Sequence, residues 1–317
     1  MVNTMAEKNI IYDVSVILIN FNSSDYTLKC IESILSQTEE NFHFNIIIVD
    51  NASKQADYNK IKKLSGNEKV TVVRSKINLG FAGGNMFGLQ FTQAKYYFFL
   101  NNDCLFLNSC LTELFSFCEK NLKVGMCSPQ LYSQDKTPVP SFDYFPIISS
   151  KILGNGIFKV IKGKDYRYRK KIYNEPVKVD VISGSQMFIR ANCFNELGGL
   201  DTNFFLYCEE EDISIRMSLH GFDTYVVPSA KNIHVGSGST NRDLMIQKEF
   251  YISFLYLYRK HYGIVKTELL RLILLLRITK KIFFSWDNLR IFFFVIFSAN
   301  MANSLRHKQK IVEIDEV

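Results

Sequence analysis

Four runs of nearly uninterrupted apolar residues mark the first hundred positions: VSVILIN (Val14 to Asn20), FNIIIVD (Phe44 to Asp50), VTVVRS (Val70 to Ser75) and YYFFLNND (Tyr96 to Asp103). A strand covered on both faces is apolar at successive positions rather than at every second one, so these runs predict buried strands of a parallel sheet. Between them the period changes. Asp25 can cap a helix whose Leu28, Ile31 and Leu35 share one stripe, and Asn85 to Ala94 is helix-like. Strands alternating with helices imply right-handed crossovers and an α/β fold. Ligands in such sheets sit at the carboxyl ends of the strands. Those ends are polar here: Asn20 and Asn22, then Asp50, Asn51 and Ser53, then Asn101, Asn102 and Asp103. One polar turn after a strand is ordinary, whereas three at one sheet edge suggest a site.

The pattern then breaks. Ser133 to Lys178 holds Pro138, Pro140, Pro146 and the basic-aromatic run KGKDYRYRKKIY (Lys162 to Tyr173), and reads as an irregular insertion or flap. That run fits either a solvated loop or a contact for a charged substrate. Regular structure resumes with VDVISGSQMFIRA (Val179 to Ala191) as a strand. Asp212 to His220 is expected as a helix, with Ile213 and Met217 inward, Leu219 a further inward candidate, and an end at Gly221. TYVVPSA is another short strand, followed by HVGSGST (His234 to Thr240). From Gly263 onward Leu269, Leu270, Ile273, Leu274 and Leu276 alternate with Lys266, Arg271, Arg277, Lys280 and Lys281, and Trp286 and four Phe follow. Basic residues opposite Leu, Phe and Trp form the pattern of a helix lying in a bilayer interface; a packing or dimerising helix is the alternative.

Composition narrows the class. The 317 residues suit one large α/β domain with an appendage, and 47% hydrophobic with 22% charged residues excludes disorder and fibrous repeats. The net charge of +7 is uneven: Arg259 to Lys310 carries eleven Lys/Arg against two Asp/Glu, which leaves about −2 on the rest. A basic tail on a near-neutral body points to an anionic surface. Its basic residues are interleaved with bulky aliphatics, which disfavours nucleic acid as partner. Seven cysteines without a CxxC pair argue against a disulfide framework and a zinc knuckle. The polar first thirteen residues show no signal peptide, and the uncharged stretch Ile291 to Leu305 near the C-terminus is short of the ~20 residues that span a bilayer. The expected location is cytoplasmic, peripheral on the inner face of the cell membrane.

Some residues have chemistry of their own. Asp103 ends a buried strand, where a carboxylate can hold a hard divalent cation against a diphosphate. Glu209, Glu210, Glu211 and Asp212 are consecutive carboxylates, so repulsion can raise the pKa of one of them and make it a base. A helix N-terminus enriched in acids by the dipole is the plainer reading. His234 heads a Gly/Ser run and is a candidate metal ligand. NLGFAGGN (Asn78 to Asn85) is Gly-rich before a helix without matching GxGxxG.

Taken together, VSVILINFNS, IIIVDNAS, NLGFAGGN, FLNND, SGSQMFIR, GGLDTNFFLYCEEEDISIRM and HVGSGST, in this order over roughly residues 12 to 262, resemble inverting family-two glycosyltransferases of the GT-A fold, rhamnosyltransferase-like branch. The resemblance implies a Rossmann-like, mostly parallel sheet with flanking helices in residues 1–262, the insertion at 133–178 included, while residues 263–317 are read from their own pattern as a basic, amphipathic, membrane-associating region. It implies donor contacts from Asn20, Asn22, Asp50, Ser53, Asn78, Gly80, Phe81, Ala82, Asn85, Asn101 and Asn102. Gly184, Gly199 and Asp201 would lie on the acceptor side, and Asp103 and His234 would hold Mg2+ or Mn2+. Glu210 falls at the general base, with Glu209 or Asp212 as alternatives. Two positions depart from the family pattern: Asn101 replaces the first carboxylate of the DxD motif, and Glu210 replaces an Asp. The implied reaction moves a sugar from dTDP-rhamnose or a UDP-hexose to a lipid-linked or saccharide acceptor in surface polysaccharide synthesis. A non-catalytic nucleotide-sugar-binding protein of the same fold is the alternative. A nucleotide-dependent oxidoreductase is disfavoured by the missing GxGxxG after the first strand.

Overall fold

The computed structural model describes residues 11–146, 159–160, 163, 166–236, 243–282 and 285–313. Ser237 to Thr240 of the Gly/Ser run, and Lys162, Lys164 and Asp165 of the basic-aromatic run, lie outside them. The strands are β1 Tyr12–Asn20, β2 Phe44–Asn51, β3 Val70–Ser75, β4 Ala94–Asn101, β5 Cys104–Phe106, β6 Val124–Tyr132, β7 Phe142–Asp143, β8 Val177–Lys178, β9 Val181–Ile182, β10 Gln186–Arg190 and β11 Asp223–His234. The helices are α1 Ser24–Gln37, α2 Gln55–Lys62, α3 Gly80–Gly88, α4 Cys110–Lys120, α5 Ala191–Glu196, α6 Glu209–Leu219, α7 Leu244–Ile282 and α8 Trp286–Phe297.

The main sheet runs in the order β3-β2-β1-β4-β10-β6-β11-β5, with β8 added beside β11. β1 pairs in parallel with β2 and β4, and β6 with β11, whereas β10 is antiparallel to both its neighbours. The sequence accounts for the first four strands directly. On β1, Val14, Val16 and Leu18 face Ile31, Ile34 and Leu114, while Ile17 faces Ala82, Phe99 and Phe194 on the other side. Both faces are covered, so alternation disappears.

The expected elements shift in informative ways. The helix expected at Asn85 to Ala94 begins at Gly80, and Ala94 already starts β4. The strand expected over Val179 to Ala191 splits into β9 and β10 around the Ser183–Ser185 turn, and Ala191 opens α5. The helix expected from Asp212 starts at Glu209; Ile213 and Met217 are buried, but Leu219 is 75% exposed. β11 extends far past Ala230, because a register shift between Val227 and Lys231 accommodates Pro228 inside a long strand. Of the 133–178 segment, the described part contributes β7, paired with β9, and β8. α7 is broken at Gly263, whose φ of 79° is left-handed. Beyond the break Leu270 and Ile278 pack inward and Leu274 is partly buried, while Leu269, Leu272 and Leu276 are exposed, so the expected stripe is shared between two faces. Among the described residues no helix is long and apolar enough to cross a membrane.

Candidate active site

The topology gathers the polar strand ends on one edge. β1, β2 and β4 end there at Asn20, Asn51 and Asn101, and antiparallel β10 starts there, with Gln186 opposite Leu100. β11 also ends there, and its His234 pairs in register with Cys104, the residue after Asp103. The candidate ligands Asp103 and His234, 131 positions apart in the chain, are thereby adjacent.

The first part of the edge is a hydrogen-bonded bracket. Asn20 is fully buried, and its Nδ2 lies 3.1 Å from Asp50 Oδ1 and Ser53 Oγ and 2.9 Å from Asp57 Oδ2. Arg74 Nε meets Asp50 Oδ2 at 3.1 Å, and the guanidinium stacks 4.2 Å over the ring of Tyr58. Burial pushes the Asp50 carboxyl up, against the hydrogen bonds of Ser53 and Asn20 and the charge of Arg74. Asp50 and Ser53 are fully buried, so a direct ligand contact from either would require the bracket to open. Asn22 closes it with a left-handed φ of 52°, donating its N–H to Ser53 Oγ and accepting from Lys54 N–H.

A cavity of about 340 Å3 opens beside this bracket, lined by Ile19, Phe21, Asn51, Asn78, Gly80, Phe81, Asn101, Asn102, Phe205, Asp243 and Ile246 among others. That volume falls in the range of small-molecule sites, roughly 300–1,000 Å3. Asn51 holds its rim: its Oδ1 accepts from Leu79 N–H, and its Nδ2 donates to Asn78 Oδ1 and the Gly80 carbonyl. Gly80 is required. Its φ is 73°, and a Cβ there would lie 2.1 Å from the Phe205 carbonyl oxygen. Ala82 and Asn85 do not line the cavity; both are buried, and Asn85 donates back to the Phe81 carbonyl. Asn102 is buried too, and its Nδ2 donates to Ser23 Oγ and Thr27 Oγ1. Arg74, Phe21, Phe205, Asp243 and Ile246 are absent from the expected site, and Asn51 enters it only as one of the polar strand ends. A buried Asn after a strand signals Asn51, but no local motif marks Asp243 or Ile246.

Asp103 is 4% exposed. Its Oδ1 lies 3.4 Å from His234 Nε2, and its Oδ2 accepts from Gly236 N–H at 3.1 Å. Burial would raise its pKa, but the hydrogen bond and charge of His234 and the Gly236 N–H outweigh burial and hold the carboxyl below its usual value. Oδ1 is buried and makes no well-formed hydrogen bond, its approach to His234 Nε2 being long. Asp103, Cys104 and His234 place one ligand atom each within 4.8 Å of one another. Burial and the charge of Asp103 push the Cys104 thiol far up, and a hard divalent cation favours the carboxylate oxygen and the imidazole over sulfur. An anionic oxygen plus an imidazole, with one oxygen unsatisfied, fits a hard divalent cation completed by ligand oxygens.

The four carboxylates at the start of α6 separate by environment. Asp212 is fully buried and bonded to Arg216, Lys260 and His261, with 2.6 Å to Arg216 Nη2 and 2.7 Å to Lys260 Nζ and His261 Nε2. Burial alone would raise it, but these three partners bring it down to about 2. Held ionised and bonded to Lys260 and His261 of α7, Asp212 is the least suited of the three candidate bases. Glu209 is 3% exposed and raised to about 8 by burial and the charges of Glu211 and Glu249. Glu210 is partly exposed and raised to about 7, by burial first and then by Glu209. Gly184 lies against its carboxylate, since a Cβ on Gly184 would come within 2.9 Å of Glu210 Cδ. The next residue, Ser185, accepts at its carbonyl from Asn101 N–H at 2.8 Å. One short turn thus links the Glu210 carboxyl to the end of β4. The other two acceptor-side candidates serve packing. A Cβ on Gly199 would meet Met86 on α3, and Asp201 bonds Lys260 at 2.7 Å and the Tyr256 hydroxyl at 2.9 Å.

Comparison with known proteins bears on the family and the fold. Residues 15–197 match the Glycosyl transferase family 2 profile. Rhamnosyltransferase WbbL of Escherichia coli (strain K12) is 25% identical over 230 residues, covering 70% of this chain and 83% of that protein. The N-acetylglucosaminyl-diphospho-decaprenol L-rhamnosyltransferase of Mycobacterium tuberculosis (strain CDC 1551 / Oshkosh) is 37% identical over 62 residues, 20% of each chain. The crystal structure of GalNAc-T7 with UDP, GalNAc and Mn2+ superposes with a TM-score of 0.60 at 15% identity, over 80% of this chain and 48% of that one. The fold is of the GT-A type, and with more than half of its length matched the chain belongs to glycosyl transferase family 2.

Proposed function

We propose that this chain is an inverting, cation-assisted glycosyltransferase that moves a sugar from a nucleoside diphosphate to a lipid-linked saccharide at an anionic membrane surface, in surface polysaccharide synthesis. The observation that carries the reading is Glu210: a carboxyl with a pKa near neutrality, seated on Gly184, whose neighbour Ser185 bonds Asn101 at the strand end that precedes Asp103.

Glu210 takes the proton of an acceptor hydroxyl as its oxygen attacks the anomeric carbon. The bond from that carbon to the diphosphate oxygen breaks, the nucleoside diphosphate leaves, and the single displacement inverts the configuration. A base with a pKa near the working pH suits this role. Asp103 and His234 would hold a Mg2+ or Mn2+ ion, which when bound neutralises the diphosphate. Asn101, in place of a second carboxylate, leaves that site with less negative charge. Asn78, Gly80 and Phe81 form the wall against which the donor rests. The relatives named as rhamnosyltransferases favour dTDP-rhamnose as donor over a UDP-hexose, and the decaprenol-diphosphate relative favours a lipid-linked acceptor.

A panel of dTDP- and UDP-sugars with manganese or magnesium, read by melting temperature, tests the reading. A donor at 100 times its Kd stabilises the fold by about 2.7 kcal/mol. Asp103→Ala is expected to abolish the cation-dependent part of that shift. No shift with any nucleotide would end the proposal.

A further inference from the structure

The basic-aromatic segment of the insertion lies beside Glu210 rather than away from the site. β7 pairs with β9 so that Asp143 stands opposite Val181, and the chain continues from β9 through Ser183 to Gly184 under the Glu210 carboxylate. Asp143 is close enough for its charge to act on Glu210. From Asp143 the contacts lead outward. Its Oδ2 meets Arg169 Nη1 at 2.6 Å. The next residue, Tyr144, stacks on Tyr166 with centroids 5.6 Å apart and planes 27° apart, and its hydroxyl is tied to the Arg167 backbone. Tyr168 packs edge-on against Tyr166 at 5.2 Å and is 50% exposed. Four of the five residues from Arg167 to Lys171 are basic.

Two independent features thus meet on the segment joined through Asp143 to the strand pair that leads to Gly184 and the base. A half-exposed tyrosine cluster, with the Lys159 ammonium 5.0 Å from the Tyr168 ring centroid, offers amphipathic surface of the kind a pyranose ring covers. Arg169 has five N–H donors, and one edge of its guanidinium is fixed by Asp143, which orients the fork for a phosphate. We propose that residues 142–145 and 166–171 form the acceptor subsite. Tyr166 and Tyr168 are its sugar platform, Arg169 and Lys170 are its phosphate contacts, and the acceptor is a phosphorylated saccharide whose hydroxyl is delivered to Glu210. The assignment rests on the transferase reading and names its acceptor chemistry. Asp143 is a positioning residue that aligns Arg169 next to the base.

The phosphate can belong to a lipid diphosphate or to a polyol phosphate chain. Three probes separate these on the purified full-length protein by titration calorimetry: farnesyl-diphosphate-linked N-acetylglucosamine, poly(ribitol phosphate), and methyl N-acetylglucosaminide. At least one phosphorylated probe is expected to bind tenfold or more tighter than the methyl glycoside, and which one does so identifies the source. Arg169→Ala should bring the two classes to parity, Arg169→Lys should restore most of the difference, and Tyr168→Ala should weaken all three. Equal binding of charged and uncharged probes, or an undiminished preference in Arg169→Ala, overturns the proposal. Circular dichroism controls for folding, and Lys170→Ala supplies a second charge deletion should Arg169→Ala unfold. Melting shifts with UDP and dTDP plus manganese report on the donor site separately. Nucleotide binding with no Arg169 effect removes only this inference, whereas Arg169-dependent probe binding without nucleotide binding removes the transferase reading and leaves the subsite.

Discussion

Glu210 and Asp212, two positions apart on one helix turn, are driven in opposite directions by what surrounds them. Asp212 is held near a pKa of 2 by Arg216, Lys260 and His261, so its stabilising effect is present above its unfolded pKa and is lost only as the pH falls toward that value. Glu210 is raised to about 7, so the reverse applies: the unfolded carboxyl ionises first, and stability is lost as the pH rises from the ordinary glutamate range through 7. Three predictions belong to this scale. Glu210→Gln should cut turnover by about 100-fold or more, the range of a lost general base, while leaving the nucleotide Kd unchanged. In the native protein, kcat/KM should rise with pH through about 7 and level off above it; a flat profile between pH 5 and 8 moves the base elsewhere. The same variant should melt higher than the native protein at pH 8, by about 1–3 kcal/mol of stability, because a neutral amide avoids the charged form that burial disfavours. A Gln variant that is both inactive and less stable would mean that the carboxyl is structural.

At the scale of elements, the loop into α3 shows how a contact between distant segments fixes a site. Asn51 on β2 grips both Leu79 and Gly80, and the Phe205 carbonyl sits where a side chain on Gly80 would go, while it accepts from Phe81 N–H at 2.7 Å. Gly80→Ala adds the cost of a left-handed alanine, about 1–2 kcal/mol, to a backbone clash that only movement of the loop relieves. The expected result is a loss of about 2–4 kcal/mol in denaturant unfolding together with weaker nucleotide binding. Gly66→Ala, with open space around it and no left-handed φ, serves as the neutral control. Elements were legible in the sequence where burial alone decides them, as in β1, β2 and β4, whereas β3 is an edge strand of the sheet and only half-buried, not covered on both faces as expected. β6 and α4 went unread, and the break between β9 and β10 was hidden because the Ser-Gly-Ser turn sits in an otherwise apolar run. The edge carrying Asp50, Asn51, Asn101 and Asp103 was readable because each follows its strand directly. The pairing of Asp103 with His234, and the removal of Asp212 to an ion-pair cluster on α7, depend on strand register and on a helix more than forty residues downstream, which no local pattern encodes.

At the scale of the molecule, α7 and α8 bring charge and apolar surface to the same end. Beyond Gly263, Ile264, Val265, Leu269, Leu272 and Leu276 are exposed on α7, as are Trp286, Phe293 and Phe297 on or beside α8, with Trp286 at 80% and Val265 at 83%. Lys266, Lys280 and Arg290 are exposed among them. Apolar side chains left in water beside lysine and arginine match a bilayer interface, where the first enter the acyl boundary and the second meet anionic headgroups at about 1 kcal/mol each. A self-associating helix pair would use the apolar residues but gain nothing from the positive charge, which would repel its copy. Salt therefore separates the two cases: adsorption to anionic vesicles weakens as the Debye length shrinks from about 10 Å at 0.1 M to about 3 Å at 1 M, whereas apolar dimerisation does not. The chain has a single tryptophan, and it lies on this face, so its emission reports insertion directly. Vesicles containing phosphatidylserine should shift Trp286 emission to the blue and carry the protein down on sedimentation at 0.1 M salt, with pure phosphatidylcholine far weaker and the binding largely lost at 1 M. Phe297→Ser with Leu272→Ser should reduce the partition by about tenfold or more, since two large apolar side chains are each worth about 1.5–3 kcal/mol when buried. Unchanged Trp286 emission on anionic vesicles, together with a dimer that persists at high salt, would assign this face to a second copy of the chain and separate the enzyme from the membrane.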